Sequence, residues 1–197
     1  MKYLDLKKID KLYFGYGEIA RAIGITPGSA KVSANRYVRQ GYLVRVKRNL
    51  YILKDRWDRL SAEEVFTIAN LIQVPSYISL MTAMSYHEVT TQIQRDFIES
   101  IAVKRTGAAE VSGRTFNFTR IDKRLYFGFG RENGFFIAAP EKAFLDAVYL
   151  KSLKKYNFDL SSIDFGKLDM AVIRRMAGKF PVKTQKALEE YGYFRKT

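Results

Sequence analysis

Apolar residues recur at two spacings along this chain, and the switches between them mark its elements. Leu4, Leu6, Ile9 and Leu12 give an irregular apolar face, with Lys7, Lys8 and Lys11 on the wet side, which predicts a first helix. In "EIARAIG" the stripe Ile19, Ala20, Ile23 predicts a second helix that Gly24 closes in a left-handed conformation. "ITPGSAKVSANRYVRQG" predicts a third: Thr26 suits the N-cap, Pro27 the first turn and Gly41 the stop, with Ala30, Ala34, Tyr37 and Val38 on one buried side. The period then falls to two in "LVRVKRNLYIL". Val44 and Val46 take one strand face and Arg45 and Lys47 the other, and Asn49 suits the positive φ of a tight turn, so this stretch predicts a hairpin with a cationic tip.

Further on, "KDRWDRL" reads as a charged boundary, and "SAEE" at Ser61 to Glu64 is a capping box opening a helix toward Gln73. Another helix is expected around Ser79 to His87, where the histidine reads as a capping or packing residue. Period-two segments follow in "DFIESIAVKR", "TFNFTRI", "LYFGFG" and "GFFIAA", separated by the turn signals "TGAAEVSG" and "RENG". Together they predict an antiparallel sheet. Pro140 opens a helix with Ala143, Phe144, Ala147 and Leu150 inward, and two more helices are expected across "LDMAVIRRMAGKF" and from Pro181 to Tyr191. The fold class expected is α+β: a winged helix-turn-helix over residues 1–57, then a mixed α/β domain over 58–197 with an antiparallel sheet and helices.

Composition narrows the function. The 197 residues are 47% hydrophobic, as in a chain that buries a core, with no run approaching a membrane span and no signal-like start. A cytoplasmic protein without a membrane partner is expected. Cysteine is absent and His87 is the one histidine, which argues against disulfides, thiolate chemistry and the usual zinc sets; no metal or cofactor is expected. A net charge of +14 favours a polyanionic partner. The first 60 residues hold 14 Lys or Arg against 5 Asp or Glu, while the rest hold 20 against 15, so the charge is densest around the hairpin.

The third helix gives that charge a use. Opposite its apolar side lie Ser29, Val32, Arg36 and Arg39, flanked by Ser33 and Asn35, and no acid occurs between Pro27 and Asp55. Arginine can bond guanine bidentately, Asn can do so with adenine, and a valine methyl can meet a thymine methyl. Ser29 and Ser33, near the positive end of the helix dipole, suit phosphates. Candidate DNA contacts are therefore Thr26, Ser29, Lys31, Val32, Ser33, Asn35, Arg36 and Arg39 on the helix. On the hairpin they are Arg45, Lys47, Arg48 and Asn49, placed against phosphates or in the minor groove. The order helix, helix, strand, basic turn, strand is that of a winged helix.

"GEIARAIGITPGSAKVSANRYVRQGYLVRVKRNLYIL", "SYISLMTAMSYHEVT" and "APEKAFLDAVYL" together resemble the AbiEi family, the antitoxins of bacterial type IV toxin–antitoxin systems linked to abortive phage infection. The resemblance runs from about Gly17 to about Leu150. It implies an N-terminal winged helix and a C-terminal α/β antitoxin domain. It also implies repression of the protein's own operon through inverted repeats in double-stranded DNA, with a second copy on the other half-site. The implied toxin is nucleotidyltransferase-like and is countered without a stable complex. The helices from about Asp164 onward match no motif of that family, and a stand-alone regulator without a toxin is the alternative within it.

Other classes fit less well. Glu99 and Lys104, five residues apart on a strand, point to opposite faces and lack the offset of a nuclease set. "GFGRENG" has one residue too many for a dinucleotide fingerprint, no Walker lysine follows a glycine loop, and Glu141 and Asp146 suit a helix start and a salt bridge. No catalytic residue is assigned. "RLYFGFG" faintly resembles the aromatic strand of an RNA-recognition motif, so RNA binding is the main alternative, with sheet packing the plainer use of those rings.

Overall fold

The computed structural model describes residues 3–92 and 94–190. It is an α+β protein whose residues fall into two compact units. One runs through Ile68 and takes in Glu110–Gly113; the other begins at Ala69 and holds the remainder.

The first unit opens with α1 (Tyr3–Leu6), α2 (Tyr16–Ile23) and α3 (Pro27–Arg39), then β1 (Leu43–Lys47), β2 (Leu50–Leu53) and α4 (Lys54–Trp57). Local chemistry sets these bounds. Gly24 ends α2 at φ 64°, and the Thr26 hydroxyl accepts the Ser29 N–H at the start of α3. Gly41, at φ 76°, turns the chain into β1. β1 and β2 pair antiparallel, with Leu43 opposite Leu53 and an irregularity between Arg45 and Lys47. Ile19, Ala20 and Ile23 of α2 share one core with Ala30, Ala34 and Tyr37 of α3 and with Leu43, Tyr51 and Leu53 of the hairpin.

Two expectations for this region change. The expected first helix is a single turn, and the chain tightens after it into turns in which the Lys7, Lys8 and Ile9 N–H groups bond the carbonyls three residues back; Leu4 is 61% exposed and Leu6 buried. The charged boundary is the helix α4. Its Trp57 is buried and donates its indole N–H to the Ser112 carbonyl at 3.2 Å.

α5 (Ala62–Ile72) begins with the expected reciprocal cap: Glu64 N–H donates to the Ser61 hydroxyl at 3.2 Å and Ser61 N–H to the Glu64 carboxylate at 3.0 Å. Next come β3 (Ser76–Ile78), α6 (Leu80–Tyr86), β4 (Phe97–Ala102), β5 (Gly107–Val111) and β6 (Arg114–Arg120). β7 (Phe129–Glu132), β8 (Phe135–Ala138), α7 (Pro140–Ser152), α8 (Met170–Ala177) and α9 (Val182–Glu190) complete the order. The expected end of the last helix at Tyr191 lies outside the described residues.

Among the described residues, six strands form one sheet in the order β5-β6-β4-β3-β8-β7. It is mixed, not antiparallel: β3–β4 and β7–β8 are antiparallel, while β3–β8 and β4–β6 are parallel. Period-two patterning fixes which face a residue takes, but strand direction follows from the connections. Here β5 goes to the sheet edge and a two-residue turn at Ser112 and Gly113, both of positive φ, brings β6 back beside β4. The stretch "TGAAEVSG", expected as a turn, thus contains β5. In "LYFGFG" the strand starts only at Phe129, since Gly128 sits at φ 73° with the Lys142 side chain against it. No helix among the described residues is long and apolar enough to cross a membrane.

Candidate nucleic-acid interface

α3 is held by its inner face and offers its outer one. Ala30 and Ala34 are fully buried and Tyr37 nearly so, which leaves Ser29, Lys31, Val32, Arg36 and Arg39 exposed and Ser33 and Asn35 half-buried. Val32 is 70% exposed, so its methyls stand free on the outer face. Arg36 is exposed, and its guanidinium lies 5.4 Å from the centre of the Tyr37 ring, a cation–π contact. Thr26 is spent on the cap: its hydroxyl also donates to the Ser29 hydroxyl at 3.0 Å.

The β1–β2 tip presents Arg45, Lys47 and Arg48, all exposed. Arg45 lies opposite the buried Tyr51, whose hydroxyl is pushed up to about 12 by burial and by its hydrogen bond to Tyr16. The outer α3 residues therefore share one helix face, and the three cations share one hairpin tip. Asn49 behaves differently. At φ 58° its side chain turns back, and Oδ1 accepts the Tyr16 N–H at 2.7 Å.

The anchoring of α2 accompanies this. The Glu18 carboxylate accepts the Gly15 N–H and an ammonium N–H from Lys11, each at 3.0 Å. The Lys11 bond and then the Gly15 bond hold its carboxyl down at about 2. Phe14 and Tyr51 exchange backbone hydrogen bonds of 3.0 and 2.9 Å, so the segment before α2 pairs with the hairpin.

The second unit buries the Asp146 expected in a salt bridge and the Glu99 expected on a strand. On α7, Lys142 and Asp146 are fully buried and joined as an ion pair. The Asp146 carboxylate also accepts the hydroxyls of Tyr77 and Ser79, both at 2.9 Å. Burial pushes the Lys142 ammonium down and the Asp146 carboxyl up, each opposed by the other's charge. The Lys142 nitrogen lies 5.2 Å from the centres of the Phe127 and Phe180 rings. The sequence signal was Lys and Asp four apart amid the apolar Ala143, Phe144, Leu145, Ala147 and Val148.

Glu99 on β4 is 2% exposed and accepts the Met81 N–H at 3.1 Å and the Tyr156 hydroxyl at 3.0 Å. Burial pushes its carboxyl up to about 7 despite those bonds. Lys104 lies outside β4 and is exposed, so it does not face this carboxylate. Around "RLYFGFG", Phe129 stacks on Tyr77 with ring centres 4.4 Å apart and meets Tyr126 edge-on at 4.7 Å. His87 caps α6, with Nε2 2.9 Å from the Ala138 carbonyl. Among the described residues, no group of three or more His, Cys, Asp or Glu could hold a metal ion.

No protein-family model matches this chain, and no curated protein matches it.

Proposed function

We propose that this protein is a sequence-specific DNA-binding repressor, and that α2, α3 and the β1–β2 hairpin act as a winged helix. The observation that carries the reading is the outer face of α3: exposed Ser29, Val32, Arg36 and Arg39, with no acid between Pro27 and Asp55. A face kept wet for solubility alone would mix both signs of charge. This one offers arginines, hydroxyls and a bare methyl pair, the groups that read base edges in a major groove. The hairpin tip adds Arg45, Lys47 and Arg48 for phosphates or the minor groove.

Following the resemblance to AbiEi antitoxins, the repressor regulates its own operon in the cytoplasm, with one copy on each half of an inverted repeat. Its second unit counters a nucleotidyltransferase-like toxin without binding it stably. No catalytic role is assigned: Glu99 Oε2 accepts from Met81 and Tyr156, and the Asp146 carboxylate is held by Lys142, Tyr77 and Ser79.

Fluorescence anisotropy of the purified chain tests this on a duplex carrying its own upstream region, a scrambled duplex and a length-matched single-stranded RNA, at two salt concentrations. The repressor reading expects a preference for the native duplex that survives moderate salt. Equal, salt-labile binding to all three would reduce the positive charge to a non-specific attractor and remove the reading. Preference for the RNA would move the function to nucleic-acid single strands.

A further inference from the structure

We infer that Asn49 is the positioning residue of the basic hairpin: it latches the tip onto the first turn of α2 and so fixes where Arg45, Lys47 and Arg48 stand relative to α3. The inference rests on the duplex-binding reading of α3 and the hairpin. Its structural basis is independent of any ligand.

A two-stranded hairpin is marginal by itself. A tip free to wander would have to be ordered at the moment of binding, and that ordering weakens the complex. Three contacts remove that freedom here. Asn49 Oδ1 accepts the Tyr16 N–H at 2.7 Å, filling one of the donors that the start of a helix leaves open. Tyr51, two residues beyond Asn49, exchanges both backbone bonds with Phe14. The Tyr51 hydroxyl donates to the Tyr16 hydroxyl at 3.0 Å. Because α2 packs on α3 in the shared core, a tip fixed to α2 is fixed to the candidate reading helix as well.

Gly15 shows how closely the parts meet. Its backbone, at φ −117° and ψ −169°, is one that any residue adopts, so glycine is not there for conformational freedom. A methyl group on it would come within 2.8 Å of Asn49 Oδ1 and 3.0 Å of the Asn49 carbonyl oxygen. Space for the asparagine is what the glycine supplies. Asn49 itself meets two demands at once, since it tolerates φ 58° and carries an acceptor short enough to reach back. Glycine would meet the first demand only.

The test uses Asn49→Gly and Gly15→Ala in the full-length chain, with the upstream-region duplex and the scrambled duplex as probes. Each substitution is expected to lower affinity for both duplexes by about tenfold, the scale of one lost hydrogen bond and its ordering. In the free protein the Tyr16 amide should exchange with solvent about tenfold faster in Asn49→Gly. Arg48→Ala, which weakens wild-type binding, should cost much less on the Asn49→Gly background. Gly15→Ala is the sharpest arm, because Gly15 lies off the hairpin and the atoms nearest the added methyl are all those of Asn49, while Gly15→Ser, which adds the same Cβ together with a capping hydroxyl, separates this from a loss at the α2 N-cap. Wild-type affinity in a folded Gly15→Ala protein would overturn the inference. So would weaker binding by Asn49→Gly with Tyr16 exchange unchanged, which would make Asn49 a direct contact. Should Gly15→Ala fail to fold, the exchange measurement and the Arg48 cycle decide between the same alternatives. If the wild type does not distinguish the two duplexes, the repressor reading falls, while exchange and coupling on the scrambled duplex still judge the latch.

Discussion

Glu99 puts a titration near neutral pH inside the second unit. Its carboxyl rises from the ordinary 4.5 to about 7 because β4 buries it, and the Tyr156 hydroxyl and the Met81 and Thr82 amides offset that only in part. A raised folded value means that the folded chain holds the proton where the unfolded chain has released it. The corresponding stability is fully present below pH 4.5 and is lost as pH rises through about 7. At about 1.4 kcal/mol per pH unit, the loss across that window is on the order of 3 kcal/mol. Urea unfolding at pH 5 and pH 8 should therefore show a stability drop that Glu99→Gln largely removes; equal drops in both proteins would place the titration elsewhere. At the candidate interface the residue-level expectation differs between helix and tip. Arg36→Ala should cost roughly 1–3 kcal/mol on the native duplex and narrow its advantage over a scrambled one. Arg48→Ala should weaken both duplexes alike and reduce the salt slope by about one. Matching behaviour in anisotropy titrations would contradict this division of labour.

At the level of elements, α7 makes the clearest stability prediction. Removing one member of a buried ion pair leaves the other charge without its partner, at a cost of roughly 3–5 kcal/mol. Lys142→Met should show that loss in chemical unfolding. Asp146→Ala should lose at least as much, because Tyr77 and Ser79 lose their acceptor too. A shift under about 1 kcal/mol for Lys142→Met would mean that Asp146 takes up a proton once its partner is gone, and the loss would then appear only at higher pH. The same helix shows where sequence reading stops. Its start at Pro140 and its inward Ala143, Phe144, Ala147 and Leu150 were legible, as were the Thr26 and Ser61 caps and the Asn133–Gly134 turn, because each depends on neighbours in the chain. Asp146 was legible as a member of a salt bridge, but its burial was not, because its partners Tyr77 and Ser79 are 69 and 67 positions earlier in the chain. β5 was hidden since an edge strand with most residues exposed lacks a buried alternation. Asn49 was legible as a turn residue but not as a latch, because its partner Tyr16 is 33 positions earlier.

For the whole molecule, the net charge of +14 extends well beyond the candidate interface. From Met170 to Leu188 the chain carries Arg174, Arg175, Lys179, Lys183 and Lys186 and no acid. All five are exposed: the four on α8 and α9 lie away from the buried Ile173, Ala177, Thr184 and Leu188, and Lys179 lies on the turn between the helices. Such a surface need not touch a duplex to matter, since the summed field of the protein draws a polyanion toward it. Arg175→Gln, Lys183→Gln and Lys186→Gln combined would lower the net charge by three while leaving α3 and the hairpin unchanged. Stopped-flow association with the native duplex should then slow by a factor of roughly two to five at about 0.01 M ionic strength, where the Debye length is about 30 Å. At about 1 M, where it is about 3 Å, the two proteins should associate alike. The preference for native over scrambled duplex should stay at its wild-type value, because a field common to all phosphates carries no sequence information. A changed preference would show that α8 and α9 take part in recognition, and an unchanged rate at low salt would leave these cations a role in solubility.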